Sequence, residues 1–255
     1  MIDAHTHLER GPLTLEYVKE FVDSAIKNNI DTLHILDHTH RFIEFKPIYE
    51  NYRFLHEQDN WLNGDNKFTD SIQDYIKLIE ECKKISFPIE VKFGLEVCYQ
   101  DAEKEKIKQL LSNYQYDFVI GSIHAVDYRI FDCSFSKEVL WNVLPVDEIY
   151  KKYFEQEYSL IESDLFTQIG HPDQIKMLDI YPSYDLTPYY EEFAVLAKEH
   201  NINVEANTGS HYRYGHSDIG LNKDFLDILK KYDCKIITAS DAHSPEDVGK
   251  LINKL

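Results

Sequence analysis

The chain has 255 residues, 43% of them hydrophobic, with 45 Asp and Glu against 27 Lys and Arg and a formal net charge of −18. That length can bury a full core in one domain, and no unbroken apolar run approaches the length of a membrane span. The acidic balance argues against duplex DNA, RNA and anionic membranes as partners, because a nucleic-acid binder draws much of its affinity from basic side chains on phosphates.

Short strand-like runs alternate with helical patterns from end to end. Ile2–His5 reads as the first strand and Thr32–Leu36 as the second. Val91–Val97, Tyr116–Ser122, Phe166–His171, Ile202–Asn207 and Cys234–Ser240 read as the other five. Between the first two, Leu15, Val18, Phe21, Val22, Ala25 and Ile26 recur three and four apart, the stripe of an amphipathic helix. Further helical stretches fall at Ser71–Lys84, Ala102–Leu111, Val146–Ser163, Leu186–His200 and Lys223–Lys231. A last helix is expected from Ser244 as N-cap, with Pro245 in its first position and Glu246 and Asp247 following. This alternation predicts a mostly parallel sheet with crossover helices, closed or nearly closed into a barrel, or else a doubly wound open sheet.

Two insertions, Asp37–Phe68 and Ala125–Pro145, are too long for simple loops and are rich in aromatic residues. They suit either active-site lids or satellite packing under surface loops. Cys82, Cys98, Cys133 and Cys234 form no CxxC pair and read as reduced, small core residues of a cytosolic protein. The chemistry starts at Asp3, which leaves no room for a leader peptide ahead of it, and residues 1–255 read as one domain.

The candidate metal ligands fall at strand ends. The first strand runs into His5 and His7, the second into Asp37 and His38, and the third ends at Glu96. His124 and His171 close the fourth and fifth, and Asp241 and His243 follow the seventh. Barrel enzymes build their sites on that face from several strands at once. Residues two apart on a strand point to one side, so His5 and His7 can grip one ion, and Asp241 and His243 can do the same. His and carboxylate together suit Zn²⁺, Mn²⁺ or Fe²⁺, and so many donors imply two or three ions. By contrast His34 lies inside a strand, His56 in the first insertion and His200 at a helix end, all structural positions; His40, His211 and His216 lie near the predicted mouth.

DAHTH at Asp3–His7, LDH at Leu36–His38, GLEV at Gly94–Val97, DFVIGSIH at Asp117–His124, IGHPD at Ile169–Asp173 and ITASDAHSPEDVG at Ile237–Gly249 stand in one order along nearly the whole chain. In that order they resemble the PHP (polymerase and histidinol phosphatase) superfamily, most of all its monofunctional histidinol-phosphate phosphatases. The resemblance implies an α/β fold, a distorted seven-stranded (β/α)7 barrel with the active site at the C-terminal ends of the strands. It also implies that His5, His7, Glu96 and Asp241 hold a first ion, that Glu96 bridges to a second held by His124 and His171, and that His38 and His243 hold a third. Family members with three ions usually place another His or Asp shortly after the HxH pair. This chain has Leu8–Leu13 there, with Glu9 the substitute at hand.

The implied reaction is hydrolysis of L-histidinol phosphate to L-histidinol and phosphate, in histidine biosynthesis. The nucleophile would be a metal-bound hydroxide, with His243 or His38 as proton donor. Arg213, which follows the Asn207-Thr208-Gly209-Ser210 segment, and Arg129 and Arg10 are the candidates for contact with substrate phosphate. The alternatives are a phosphatase of the same kind acting on phosphotyrosine or a nucleotide, and a metal-dependent phosphodiesterase or nuclease. The partner expected is a small phosphomonoester.

Overall fold

A computed structural model describes residues 1–255. β1 (Ile2–His7) is followed by α1 (Leu15–Lys27), β2 (Thr32–Leu36), α2 (His56–Leu62), α3 (Ile72–Cys82), β3 (Glu90–Cys98), α4 (Lys104–Leu111) and β4 (Phe118–Ser122). Two-residue strands β5 (Ala125–Val126) and β6 (Arg129–Ile130) form a separate hairpin. Then come α5 (Val146–Glu162), β7 (Gln168–Ile169), α6 (Thr187–Glu199), β8 (Asn203–Asn207), α7 (Gly209–Tyr214), α8 (Lys223–Lys231) and β9 (Lys235–Ala239).

Seven strands pair in the order β1-β2-β3-β4-β7-β8-β9, every adjoining pair parallel, which is the sheet that crossover helices dictate. Between β9 and β1 the ladder is replaced by a seam. Thr6 bridges Ala242, the His7 amide donates to the Ala242 carbonyl at 2.7 Å, and the sheet is thereby nearly closed into a barrel. Asp3 latches the same seam. Its buried carboxylate accepts from the Ser240 amide (2.9 Å), the Ser240 hydroxyl (2.6 Å) and the Gly249 amide (2.8 Å).

The helices start where their caps allow. Thr14, Ser71 and Asn222 accept from amides of the first turns of α1, α3 and α8, and α1 buries Val18, Phe21, Val22 and Ala25 against the sheet. No helix is long and apolar enough to cross a membrane. The expected helix at Ser244 is only a 3-10 turn, Pro245–Asp247. Gly249 adopts φ of +75° and spends its amide on Asp3, so the start signal is not propagated. The fifth barrel strand is also shorter than expected, because His171 turns the chain away at φ +29°.

Both insertions are folded. The first is a 3-10 stretch over Ile43–Phe54 followed by α2, and the second is the β5–β6 hairpin followed by a π-helical turn, Lys137–Trp141. Phe42, Phe45, Tyr49 and Tyr52 of the first and Phe131, Leu140 and Trp141 of the second join the main apolar core.

Candidate metal centre

Pleating puts His5 and His7 on one side of β1, where their Nε2 atoms lie 2.9 Å apart. Across the seam, Asp241 Oδ1 sits 3.2 Å from His7 Nε2 and 3.7 Å from His5 Nε2. Glu96, near the end of β3, divides its oxygens. Oε2 lies 3.2 Å from His5 Nε2, 3.4 Å from His7 Nε2 and 2.9 Å from His38 Nε2, while Oε1 lies 3.3 Å from His124 Nε2 and 3.0 Å from His171 Nε2. Glu9 closes the far side, with Oε2 2.9 Å from His38 Nδ1 and Oε1 3.3 Å from His243 Nε2. His5, His7, His38, Glu96, His124, His171, Asp241, His243 and Glu9 thus converge on one place.

This donor set fits divalent cations. Two imidazole nitrogens meet at 2.9 Å and can share at most one proton, and a single carboxylate faces five imidazoles. Three overlapping triads bring their ligand atoms within 4.8 Å of one another, namely His5–His7–Asp241, His7–His38–His243 and His38–Glu96–His124. Burial opposes the charge on Glu96 and Asp241, but the histidines around Glu96, and Arg213 and His243 beside Asp241, hold both carboxyls well below the usual range. Burial, then His38 and His243, keep His7 far below an ordinary imidazole; for His5 the Glu205 and Glu96 carboxylates outweigh burial and raise it.

Two of the candidate ligands sit on strained backbone. Asp241 has φ of +57° and His171 of +29°, left-handed positions at the two strand ends where side chains must turn inward. Gly209 opens α7 under Asp241, where an added Cβ would stand 2.8 Å from Oδ2, so only glycine lets that helix approach. Asp37, at a strand end like the candidate ligands, gives Oδ2 to Arg41 Nη1 at 2.8 Å and stands at the edge of the cluster, with a carboxylate oxygen within 4.8 Å of ligand atoms of His7 and Glu9.

The fixing of His5 falls to a residue that sequence reasoning missed. Glu205 on β8 is buried, and its Oε1 lies 2.8 Å from His5 Nδ1 and accepts from Gln168 Nε2 at 2.7 Å. Its Oε2 accepts from the His171 amide (3.0 Å) and Asn207 Nδ2 (2.9 Å). A carboxylate behind a ligating imidazole sets its tautomer and direction. The one available signal was an acid in the middle of a strand, flanked by Val204 and Ala206.

A cavity of about 220 Å³ opens on the cluster. Tyr49, Tyr52, Trp61 and Lys67 of the first insertion, and Ile130, Asp132 and Cys133 of the second, wall it, so both insertions cover the site. Cys98 also lines it, so Cys98 and Cys133 face the cavity while packing against the apolar core that buries Cys82. Of the three arginines, only Arg213 reaches it, with Nη1 2.9 Å from Asp241 Oδ2. Arg129 turns outward, donating to the Val139 carbonyl at 2.8 Å and lying over the Phe54 ring, and Arg10 is exposed.

His40 lines the cavity. His216 is buried against Tyr181 with Nε2 3.1 Å from its hydroxyl, and His211 Nδ1 lies 2.7 Å from the His216 carbonyl, so neither joins the cluster. His34 stacks on Phe118, His56 lies beside Asn60 and His200 pairs with Asp164, all structural contacts as expected. Lys67 and Asp132 carried no local motif and were missed.

The family model of the PHP domain matches residues 3–209. A relative from Clostridium acetobutylicum described as a probable histidinol-phosphatase is 21% identical, over 98% of this chain and 89% of that protein. One from Deinococcus radiodurans with the same description is 24% identical, over 71% of this chain and 68% of that protein. The crystal structure of a candidate histidinol phosphatase from Listeria monocytogenes superposes with a TM-score of 0.79 at 19% identity, over 100% of this chain and 99% of that one. A histidinol phosphate phosphatase from Lactococcus lactis, complexed with Zn, L-histidinol and phosphate, gives 0.70 at 17% identity, over 99% and 90%. At these identities the superpositions establish the fold, the barrel of seven parallel strands.

Proposed function

The chain belongs to the PHP domain family, and from that membership we propose that it is a metal-dependent phosphomonoester hydrolase whose substrate is histidinol phosphate. The observation that carries this reading is the convergence of nine donors at the C-terminal ends of the strands, six of them on the wall of one cavity. His5, His7, Asp241 and Glu96 would hold a first divalent ion. Glu96 would be shared with a second, on His124 and His171, and Glu9, His38 and His243 would hold a third. Zn, Mn and Fe all suit these donors.

Bound there, such ions lower the pKa of water and offset charge on the phosphoryl oxygens. The side chains do the rest. Arg213 and Lys67 bring cationic donors to the cavity for phosphate oxygens, and Arg213 also fixes Asp241. His243 or His38, both on the cavity wall, would be the proton source for the leaving alkoxide where it is not engaged in holding a third ion. Trp61, Tyr49 and Tyr52 narrow the space open to bulk water. The relatives support the substrate: two are described as probable histidinol-phosphatases, and a structural neighbour was solved with L-histidinol and phosphate.

The test is phosphate release from histidinol phosphate, phosphotyrosine and nucleoside monophosphates, with Zn, Mn or Fe supplied and after strong chelation. Histidinol phosphate should show the highest kcat/KM, with activity lost on chelation. Equal turnover of phosphotyrosine or a nucleotide would move the substrate, and a fully active metal-free enzyme would end the reading.

A further inference from the structure

The cavity is charged unevenly. Glu9 is matched by His38 and His243, and Asp241 by Arg213. Asp132 also lines the cavity, and no Lys, Arg or His nitrogen comes within ion-pair distance of its carboxylate. Lys67 lines it too, and its ammonium lies over the Trp61 ring, 4.6 Å from the centroid, without a carboxylate partner. One unmatched anion and one unmatched cation in the same cavity complement a ligand that carries both signs.

Asp132 is held in place. The preceding Phe131 is buried, its amide donates to the His124 carbonyl at 3.1 Å, and its carbonyl accepts from Trp141 Nε1 at 3.1 Å. The following Cys133 amide donates to Ser136 Oγ at 2.8 Å. Anchored on both sides, the half-buried carboxylate stands in the wall of the cavity that His124, His171 and Tyr214 also line. A carboxylate in a partly enclosed wall is costly unless a cation meets it, and a rigid one selects by charge and position.

We propose that Asp132 is a specificity-determining residue for the organic half of the substrate, where its carboxylate meets a protonated amine while the phosphate lies at the metal end. This rests on the phosphomonoesterase reading and adds which functional group of the alcohol portion is recognised, and by what. A neutral alcohol portion would leave the half-buried Asp132 carboxylate without a cation to meet it, so charge on the amine, not size, is what the site reads.

The test compares histidinol phosphate with its N-acetyl derivative, which keeps phosphate and imidazole but removes the amine's charge, using metal-loaded wild type and D132N. Wild type should favour the free amine by roughly 10- to 100-fold in kcat/KM, the range for one charge-assisted hydrogen bond. In D132N that ratio should collapse toward one, mainly through KM, while elemental analysis finds the wild-type metal content, and D132E should restore part of it. The proposal is overturned if wild type turns over both esters equally, if D132N keeps the preference, or if D132N loses its metal. Failure of the phosphomonoesterase reading looks different: wild type would then release phosphate from neither ester, and both ideas would fall together.

Discussion

Glu96 is where the cluster is most exposed to a single change. Its two oxygens face different sets of histidines, so Glu96→Gln keeps the shape, removes the charge that could hold two cations together, and turns one end into a donor facing imidazoles. Phosphatase kcat/KM should fall by orders of magnitude, with metal content reduced and circular dichroism unchanged; near-wild-type activity would make Glu96 a rim residue. Glu205→Gln should act more gently, through the aim of His5. Metal affinity, measured by chelator competition, should drop by about 10- to 100-fold with kcat at saturating metal much less affected, and unchanged affinity would make Glu205 merely structural. The first of these residues was legible and the second was not. Glu96 closes a strand alongside other strand-end donors, a pattern visible in one dimension. The role of Glu205 depends on which face of β8 meets His5, 200 positions away in sequence. Arg129 failed for a related reason: neighbours on a hairpin strand point to opposite sides, and Ile130, not Arg129, faces the cavity.

Elements were legible where their signals were long. α5 shows the helical stripe plainly, with Ile149, Tyr150, Tyr153, Phe154, Leu160 and Ile161 buried, whereas the six residues of α7 are too few for a period and the Ser244 start signal had no helix behind it. On the buried stripe of α5 also stands Glu157, and neither of its oxygens is hydrogen-bonded. Burial pushes its carboxyl up from 4.5 to about 8, with the nearby Tyr153 hydroxyl pulling against it and Asp173 adding to it. A folded pKa above the unfolded one means the fold favours the protonated form. Its contribution to stability is therefore full below about pH 4.5 and is lost as pH rises through about 8. Glu157→Gln, a neutral isostere, should leave Tm near the wild-type value at pH 5 and raise it progressively toward pH 8. The gain should be on the order of ten degrees, since each pH unit between the unfolded and folded pKa is about 1.4 kcal/mol and each kcal/mol about 2–4 °C for a chain of this size. A Tm difference that does not vary with pH would mean that Glu157 is ionised and paired in the folded protein.

At the scale of the whole molecule, the same seam closes the barrel and assembles the metal centre. β1 supplies His5 and His7, the chain just past β9 supplies Asp241, and between them Asp3 ties Ser240 and Gly249 to β1 in place of a regular ladder. Asp3→Asn would set an amide N–H against donors that now meet only acceptor oxygens. A buried donor left without an acceptor costs about 1–3 kcal/mol, so Tm should fall by several degrees at neutral pH. Ions that bind only the folded chain stabilise it by mass action, about 2.7 kcal/mol at a hundred times Kd, so chelation should lower the Tm of wild type as well. The two effects are expected to be coupled, because a seam loosened at Ser240 also displaces the adjoining Asp241 from His7. Unfolding scans of both proteins, with and without saturating Zn, measure this directly. The metal-induced rise in Tm should be smaller in the Asp3→Asn variant than in wild type, and chelator competition should find weaker binding. An equal rise in both proteins would show that Asp3 holds the fold without holding the site.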